Sequence, residues 1–386
     1  MLFASTTNLR TSIALVGQPV KRFILDETYL LRHKFAFRCS STHTQRYKIG
    51  VKYIGTNLSG FTKSSEHILP SVESVVCRAL TGFLKGSKSS NKANDAELND
   101  TDIEDSWQNF RASSRTDAGV HALRNSFHVD IIRSINKSAF SPAAVANGLN
   151  NYISQQSWKS KRTSQHINSK TRSIVITDAT KVDSTFDARE SATSRIYVYN
   201  IVCPTTQAFE QFKHLISYKA DESATTALAK DHIITHHAFF EEHRAWCVYK
   251  PLNVKAMQEA ADFLRNDSIE TDYSSFQNSG CNSSSPMRTI LKFEVVEIPS
   301  PSSALVSIAV RIEATSFLLR MVRNLVGVLV AVGKGTMSTI RAKELLKERN
   351  RAKVLSKPAP AAGLFLQEVK YDSNVLKRHT TNKELL

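Results

Sequence analysis

Long apolar runs are missing from this 386-residue chain. No stretch approaches the roughly 20 consecutive apolar residues that a membrane-spanning helix needs, so no membrane partner is expected. Cysteine is scarce, with five in all. Cys39, Cys77, Cys203, Cys247 and Cys281 are odd in number, scattered and never spaced as C-x-x-C, which excludes a disulfide framework or a thiolate zinc site and leaves reduced thiols. Acid is in deficit: 35 Asp+Glu stand against 51 Lys+Arg, a net charge of +16. A surplus of that size favours a polyanionic partner but locates no site, because any basic protein binds nucleic acid nonspecifically.

The first 45 residues differ from the rest. Arg10, Lys21, Arg22, Arg32, Lys34 and Arg38 face only Asp26 and Glu27, with Ser and Thr throughout and no apolar core of the secretory kind. That composition fits a transit peptide, or else a disordered basic arm that touches RNA. The first strand pattern follows at Tyr47 to Ile54 and ends in the turn-prone Gly55-Thr56-Asn57. Pro70 opens a helix whose Val72, Val75, Val76, Ala79, Leu80 and Phe83 share one face. From residue 85 to 107 periodicity is lost and Asp95, Glu97, Asp100, Asp102, Glu104 and Asp105 crowd together, which reads as a solvated, disordered acidic insertion. The spacing and central glycine of a calcium loop are absent from it.

Beyond it lie a strand at Phe127 to Ile132, a helix capped by Ser141 and opened by Pro142, and a strand near Ile174 to Thr177. Trp158, Lys159, Lys161, Arg162, Lys170 and Arg172 make an acid-free stretch that could track phosphates or simply be an exposed basic loop. Later come strands at Arg195 to Val202, Leu291 to Ile298, Ala304 to Ala314 and Leu364 to Tyr371, with helices near Val254 to Arg265, Leu318 to Val332 and Ile340 to Arg349. Such mixed ordering indicates an α+β fold with a largely antiparallel sheet. The expected division is an N-terminal lobe over 46–180, a C-terminal lobe over 181–372 and a tail over 373–386.

Asp117, in the polar segment Ser113 to Ala122, is by local chemistry a turn or cap residue, or a carboxylate held among basic groups. Arg323 falls in an apolar helix, where a cation calls for an anionic partner, and Asp117 is the best candidate; Arg320, one turn earlier, reads as a surface snorkel. His232, His236, His237 and His243 with Cys247 invite a metal reading, but the Glu of H-E-x-x-H is absent and no metal is expected.

The octapeptide Arg115-Thr116-Asp117-Ala118-Gly119-Val120-His121-Ala122 resembles the catalytic motif of the tRNA pseudouridine synthase family that modifies the anticodon arm. The likeness continues in order through Tyr53 to Thr56 with Gly60-Phe61, Phe186 to Arg189 with Ser194 to Tyr199, and Ser285 to Thr289. It then covers Phe317 to Gly327 and Ala359-Pro360 with Gly363 to Leu366. The Ser113-Ser114 lead-in and the presequence-like start are most similar to the tRNA pseudouridine synthase-like 1 branch, whereas the acidic insertion and the basic stretch interrupt the family pattern. The resemblance implies two sheet-based lobes flanking a basic cleft and uridine-to-pseudouridine isomerisation without a cofactor. It further implies a homodimer on tRNA and a mitochondrial setting.

By the same resemblance Asp117 is the nucleophile, Arg323 its charge partner, and Tyr197 the ring that packs on uracil and handles its proton. Arg115 would extrude the base, and Arg189 and Arg195 are phosphate contacts or merely solvated surface. The alternatives are pseudouridylation of mitochondrial mRNA or rRNA, and a noncatalytic RNA-binding protein of the same fold. The composition of residues 1–45 makes a testable claim: their deletion should leave activity in vitro intact and abolish delivery to mitochondria, and a truncated fusion that still reaches the organelle overturns it.

Overall fold

The structure, a computed structural model, describes residues 42–62, 69–86, 105–156, 158–159, 166–167, 173–216, 238, 241–281, 283–300, 302–354, 356–373 and 375. Residues 1–41 of the expected transit peptide, the acidic run Asp95 to Glu104, four of the six residues named in the basic stretch (Lys161, Arg162, Lys170 and Arg172), the histidines 232, 236 and 237, and the tail from residue 376 lie outside them.

Eight main strands enter one sheet: β1 (Thr42–Tyr53), β2 (Ser106–Ala112), β3 (His121–Ser134), β4 (Ile174–Val182), β5 (Ala192–Pro204), β6 (Ile290–Ile298), β7 (Leu305–Ala314) and β8 (Leu364–Tyr371). Their order is β6-β7-β5-β8-β3-β1-β4, with β2 also on β3 and the short strand Trp246–Cys247 on β5. The pairing is antiparallel apart from that short strand and the seam between β8 and β3. The fold is therefore α+β with a largely antiparallel sheet, as the order of elements implies.

At the seam, Phe365 pairs with His121 and Leu366 with Ala122. Strands from the first half of the chain lie on one side of this join and strands from the second half on the other. On the first side pack helices α1 (Val72–Gly86) and α2 (Pro142–Gln155), the latter capped by the Ser141 hydroxyl, which accepts from the Ala144 N–H. On the second side pack α4 (Val254–Arg265), α5 (Met321–Gly333) and α6 (Thr339–Glu348). Helix α3 (Thr206–Ile216) follows β5. Nearly every residue of α5 is buried, because it lies under both α4 and the segment that leads into β8.

Where the chain departs from the sequence reading, long-range pairing is the cause. Strand β1 starts at Thr42, ahead of the expected Tyr47, since its first residues pair with Ser134 and Arg133 at the far end of β3. Strand β2 occupies the end of the expected insertion. Its pairing with β3 shifts register between Gln108 and Arg111, where Asn109 takes a φ of 54°, and this bulge hides the period-2 pattern. Asp105 is likewise no solvated acid. Its carboxylate is buried against Arg133 at 3.2 Å and Lys137 at 3.5 Å, fixing the start of the strand that carries the chain to Asp117. Removing one partner of a buried ion pair typically costs about 3 kcal/mol or more. Asp105→Ala should therefore lower unfolding stability by about that amount in a urea titration, and a change below about 0.5 kcal/mol would show the pair to be dispensable.

Candidate active site

Between β2 and β3 the chain crosses over the seam. The Ser113 N–H donates to the Ser126 carbonyl of β3 at 2.9 Å, and the Arg195 guanidinium of β5 donates to the Ser113 carbonyl at 3.1 Å. The loop thus bridges β3 and β5 over the intervening β8. Its polar residues are occupied one by one. Asn125 accepts from the Ser113 hydroxyl at 2.8 Å and donates to the Ser114 carbonyl at 3.0 Å, while Tyr53 and Thr116 share a hydroxyl bond at 2.8 Å. Gly60 supports the loop from the side: its φ is +102°, and a Cβ there would lie 2.7 Å from the Thr116 carbonyl oxygen. Only glycine fits that combination of backbone angle and contact. The turn closes with the Val120 N–H on the Asp117 carbonyl at 3.1 Å.

Asp117 faces α5. Its Oδ2 accepts from Arg323 Nη1 at 3.2 Å and lies 4.0 Å from Arg320 Nε. Arg323 is aimed by the segment ahead of β8: its Nε donates to the Ala359 carbonyl at 2.7 Å, and the Ala359 N–H returns a bond to the Arg323 carbonyl at 2.9 Å. That segment can approach α5 because position 327, one turn on, is glycine; a Cβ there would sit 2.3 Å from the Lys357 carbonyl oxygen. Arg320 is not on the helix, where the sequence reading put it. It is the residue before α5, in the left-handed region at φ 58°, and this conformation brings its head toward Asp117.

Tyr197 stands on β5 opposite Leu366 and Ile312, 6 % exposed, with its ring edge-on to Phe317 at 5.2 Å. Its phenol shares a hydrogen bond with the Ser114 hydroxyl at 2.9 Å. Burial pushes the phenol pKa up to about 12, the Ser114 bond opposes this, and the nearby Asp117 charge adds to it. The phenol is therefore neutral at physiological pH. Tyr199, two residues on, is fully buried and donates to the Pro360 carbonyl at 2.8 Å, so it holds the segment that aims Arg323.

The arginines of the second motif separate into two roles. Arg195, read from sequence as a phosphate contact, is buried and turns its donors to the backbone carbonyls of Ala192, Thr315, Ser113 and Arg189. Arg189 is exposed on a turn fixed by Asp187, whose carboxylate accepts the N–H groups of Arg189 and Glu190. Burial pushes the Asp187 carboxyl up, but those N–H groups and the Arg111 guanidinium outweigh it and hold the pKa below the usual carboxylate range. Arg46, bidentate on Asp130, also donates to the Ser184 and Phe186 carbonyls and ties this turn to β1 and β3.

These groups enclose a cavity of about 550 Å³. Arg115, Arg189, Arg195, Arg288, Arg320 and Arg323 stand on its wall, and among the described residues that line it Asp117 is the one carboxylate. Asp117, Tyr197, Arg323, Arg115, Arg189 and Arg195 all stand on this one wall. Ser114, Arg320 and Arg288 join them without having been singled out for the site. Ser114 and Arg288 lie inside the quoted motif blocks, but only the fold assigns them contacts. Among the described residues no three His, Cys, Asp or Glu side chains are grouped as a metal site would require, and His243 and Cys247 are not so joined. No helix among them is long and apolar enough to cross a membrane.

A carboxylate flanked by two guanidiniums and a buried neutral phenol in an arginine-lined cavity make a site suited to an anionic ligand. Comparison with known proteins gives the class its family. The sequence profile described as tRNA pseudouridine synthase matches residues 270–372. The tRNA pseudouridine synthase-like 1 of Mus musculus is 33% identical over 273 residues, covering 68% of this chain and 78% of the mouse protein. Its Homo sapiens counterpart is 32% identical over 271 residues, covering 68% and 75%. The tRNA pseudouridine synthase A of Ehrlichia chaffeensis is 26% identical over 326 residues, covering 84% of this chain and 100% of the bacterial protein. The chain belongs to the tRNA pseudouridine synthase family, on the synthase-like 1 branch, and is an isomerase.

Arg323 and Arg320 both approach Asp117, but only Arg323 is half-buried, within hydrogen-bond distance and held by a second acceptor. Arg323→Leu is expected to cut pseudouridine formation at least about a hundredfold, and Arg320→Gln about tenfold or less. Equal losses in the two variants would show that the cavity's summed charge, not the specific pair, matters.

Proposed function

We propose that this isomerase converts uridine to pseudouridine in the anticodon arm of mitochondrial tRNA, with the Asp117 carboxylate as nucleophile and no cofactor. The observation that carries the reading is the setting of Asp117: the one carboxylate on the cavity wall, 3.2 Å from the Arg323 guanidinium and adjacent to the Tyr197 phenol's partner loop. The reaction exchanges the N1 to C1′ glycosidic bond of uridine for a C5 to C1′ bond. A proton leaves C5 and one ends on N1, so atoms balance within the nucleotide and no redox partner is needed.

In this reading Arg323 aims the Asp117 carboxylate through the 3.2 Å contact between them. Asp117 attacks C1′ as the bond to N1 breaks, the walls retain the freed uracil while it turns to present C5, and the new C5 to C1′ bond displaces the Asp117 carboxylate. Tyr197 packs against the ring and passes the C5 proton on, with Ser114 orienting its phenol. Arg115 stabilises the uridine drawn out of the RNA stack, and Arg189 meets backbone phosphate. Arg195 holds the loop from beneath.

The two halves of the sheet would act as lobes beside a basic cleft, with a homodimer presenting two such clefts to one tRNA. The mitochondrial matrix as location rests on the presequence-like composition of residues 1–45 and on likeness to the synthase-like 1 proteins.

Asp117→Asn preserves size and turn chemistry but removes the charge. Turnover on a mitochondrial tRNA transcript should fall about a thousandfold or more, while tRNA affinity at matched salt and the melting temperature stay near wild type. Turnover within a few-fold of wild type would reduce Asp117 to a turn residue and remove the nucleophile from the mechanism.

A further inference from the structure

The Tyr197 phenol is nearly cut off from water. Phe317 stands edge-on to its ring at 5.2 Å, and among the described residues its one hydrogen-bond partner is the Ser114 hydroxyl at 2.9 Å. Ser114 is placed differently. It is half-buried, it lines the cavity, and its backbone is pinned by Asn125 Nδ2, which donates to its carbonyl at 3.0 Å. Asn125 has no freedom to let go. Its Oδ1 accepts from the Ser113 hydroxyl at 2.8 Å and from the Ser126 N–H at 2.9 Å, and its Nδ2 also reaches the Tyr53 hydroxyl at 3.2 Å. The Ser114 hydroxyl thus has a fixed origin and, among the described residues, a single bond, to Tyr197. It stands between a buried phenol and a cavity wide enough for water.

A neutral phenol can take up a proton only if it gives away its own in the same step. Burial keeps the Tyr197 phenol neutral at physiological pH. In the proposed reaction the hydrogen on C5 leaves once the C5 to C1′ bond has formed, so the phenol's own hydrogen needs an exit. We infer that Ser114 is the relay through which Tyr197 discharges it. Tyr197 Oη takes the hydrogen from C5, the phenol's hydrogen passes to Ser114 Oγ, and the serine's hydrogen passes to a water in the cavity. The electrons of the broken C5–H bond return to the uracil ring and are taken up at N1, which is protonated by water. Protons and charge therefore balance, and both hydroxyls end as neutral as they began. This rests on the proposed isomerisation and adds to it the path of the proton. Ser114 touches no reacting atom of the nucleotide; it is a positioning residue that acts through Tyr197.

Single-turnover assays on tRNA transcripts made with ordinary or C5-deuterated uridine test the relay. Ser114→Ala should slow pseudouridine formation about a hundredfold, as loss of a positioned proton-transfer group does, while tRNA affinity and melting temperature stay at wild type. Its C5-deuterium isotope effect should rise above the wild-type value, because removal of that hydrogen becomes the slow step. A loop merely loosened by the substitution would slow attack at C1′ and leave the isotope effect unchanged. Ser114→Ala combined with Tyr197→Phe should be no slower than Tyr197→Phe alone, since the serine then has nothing to relay. If the alanine variant does not fold, Ser114→Gly, which removes the hydroxyl without adding bulk, takes its place. A folded variant with the wild-type rate, a slowed one with an unchanged isotope effect, or losses that multiply in the double variant overturns the relay and leaves Asp117 or water as the acceptor. Wild-type protein that forms no pseudouridine in any tRNA transcript overturns instead the function on which the relay rests.

Discussion

Asp117 and Arg323 are 206 residues apart in the chain and 3.2 Å apart in the fold. Neither can be placed alone. Asp117 rides on a loop whose polar groups are matched by β3, β5 and the Gly60 turn, and Arg323 rides on a buried helix whose orientation is set by the segment ahead of β8. The ion pair closes this circuit, and much of what surrounds it serves to keep two opposite charges at one distance on the cavity wall. The buried Tyr199 hydroxyl on Pro360 and the missing side chain at Gly327 belong to the same device, although neither touches the cavity chemistry.

Charge is distributed around that pair with a clear division of labour. Arginines that hold protein are buried on carbonyls or carboxylates, as Arg195 and Arg46 are. Arg115 and Arg189 instead stand exposed on turns or loops at the cavity wall. The sequence gives both kinds the same letter. Desolvation sets their cost: a guanidinium taken from water must find acceptors in the protein or receive them from a ligand.

Local chemistry was the legible part. Ser141 with Pro142 marks the start of α2, the hairpin β6–β7 shows its alternation and its Pro/Ser connection, and β8 runs from Leu364 to Tyr371 as its pattern implies. Strand β2 was hidden by a bulge at Asn109, and Asp105 looked like part of a solvated acidic run because its cations, Arg133 and Lys137, lie across a sheet. Helix α3, from Thr206, was likewise passed over. Ordered resemblance singled out Tyr197 and the catalytic reading of Asp117, whereas the contact of Asp117 with Arg323 was already legible from a cation placed in an apolar helix. Arg320 was misplaced because a left-handed residue before a helix is invisible to periodicity. Ser114 and Arg288 needed coordinates to be given contacts at all.

The seam strand β8 is the last element of the sheet in chain order, and it joins the two halves through the residue pairs Phe365–His121 and Leu366–Ala122. During synthesis the first half can pair β1, β2, β3 and β4 among themselves, and the β5, β6 and β7 strands can do likewise, but among the described residues no strand pairing joins the two groups until β8 has been made. Contacts of such long sequence separation form late and slowly. Asp117 is therefore made 206 residues before Arg323, and its loop acquires that charge partner only when the second half of the chain folds against the first.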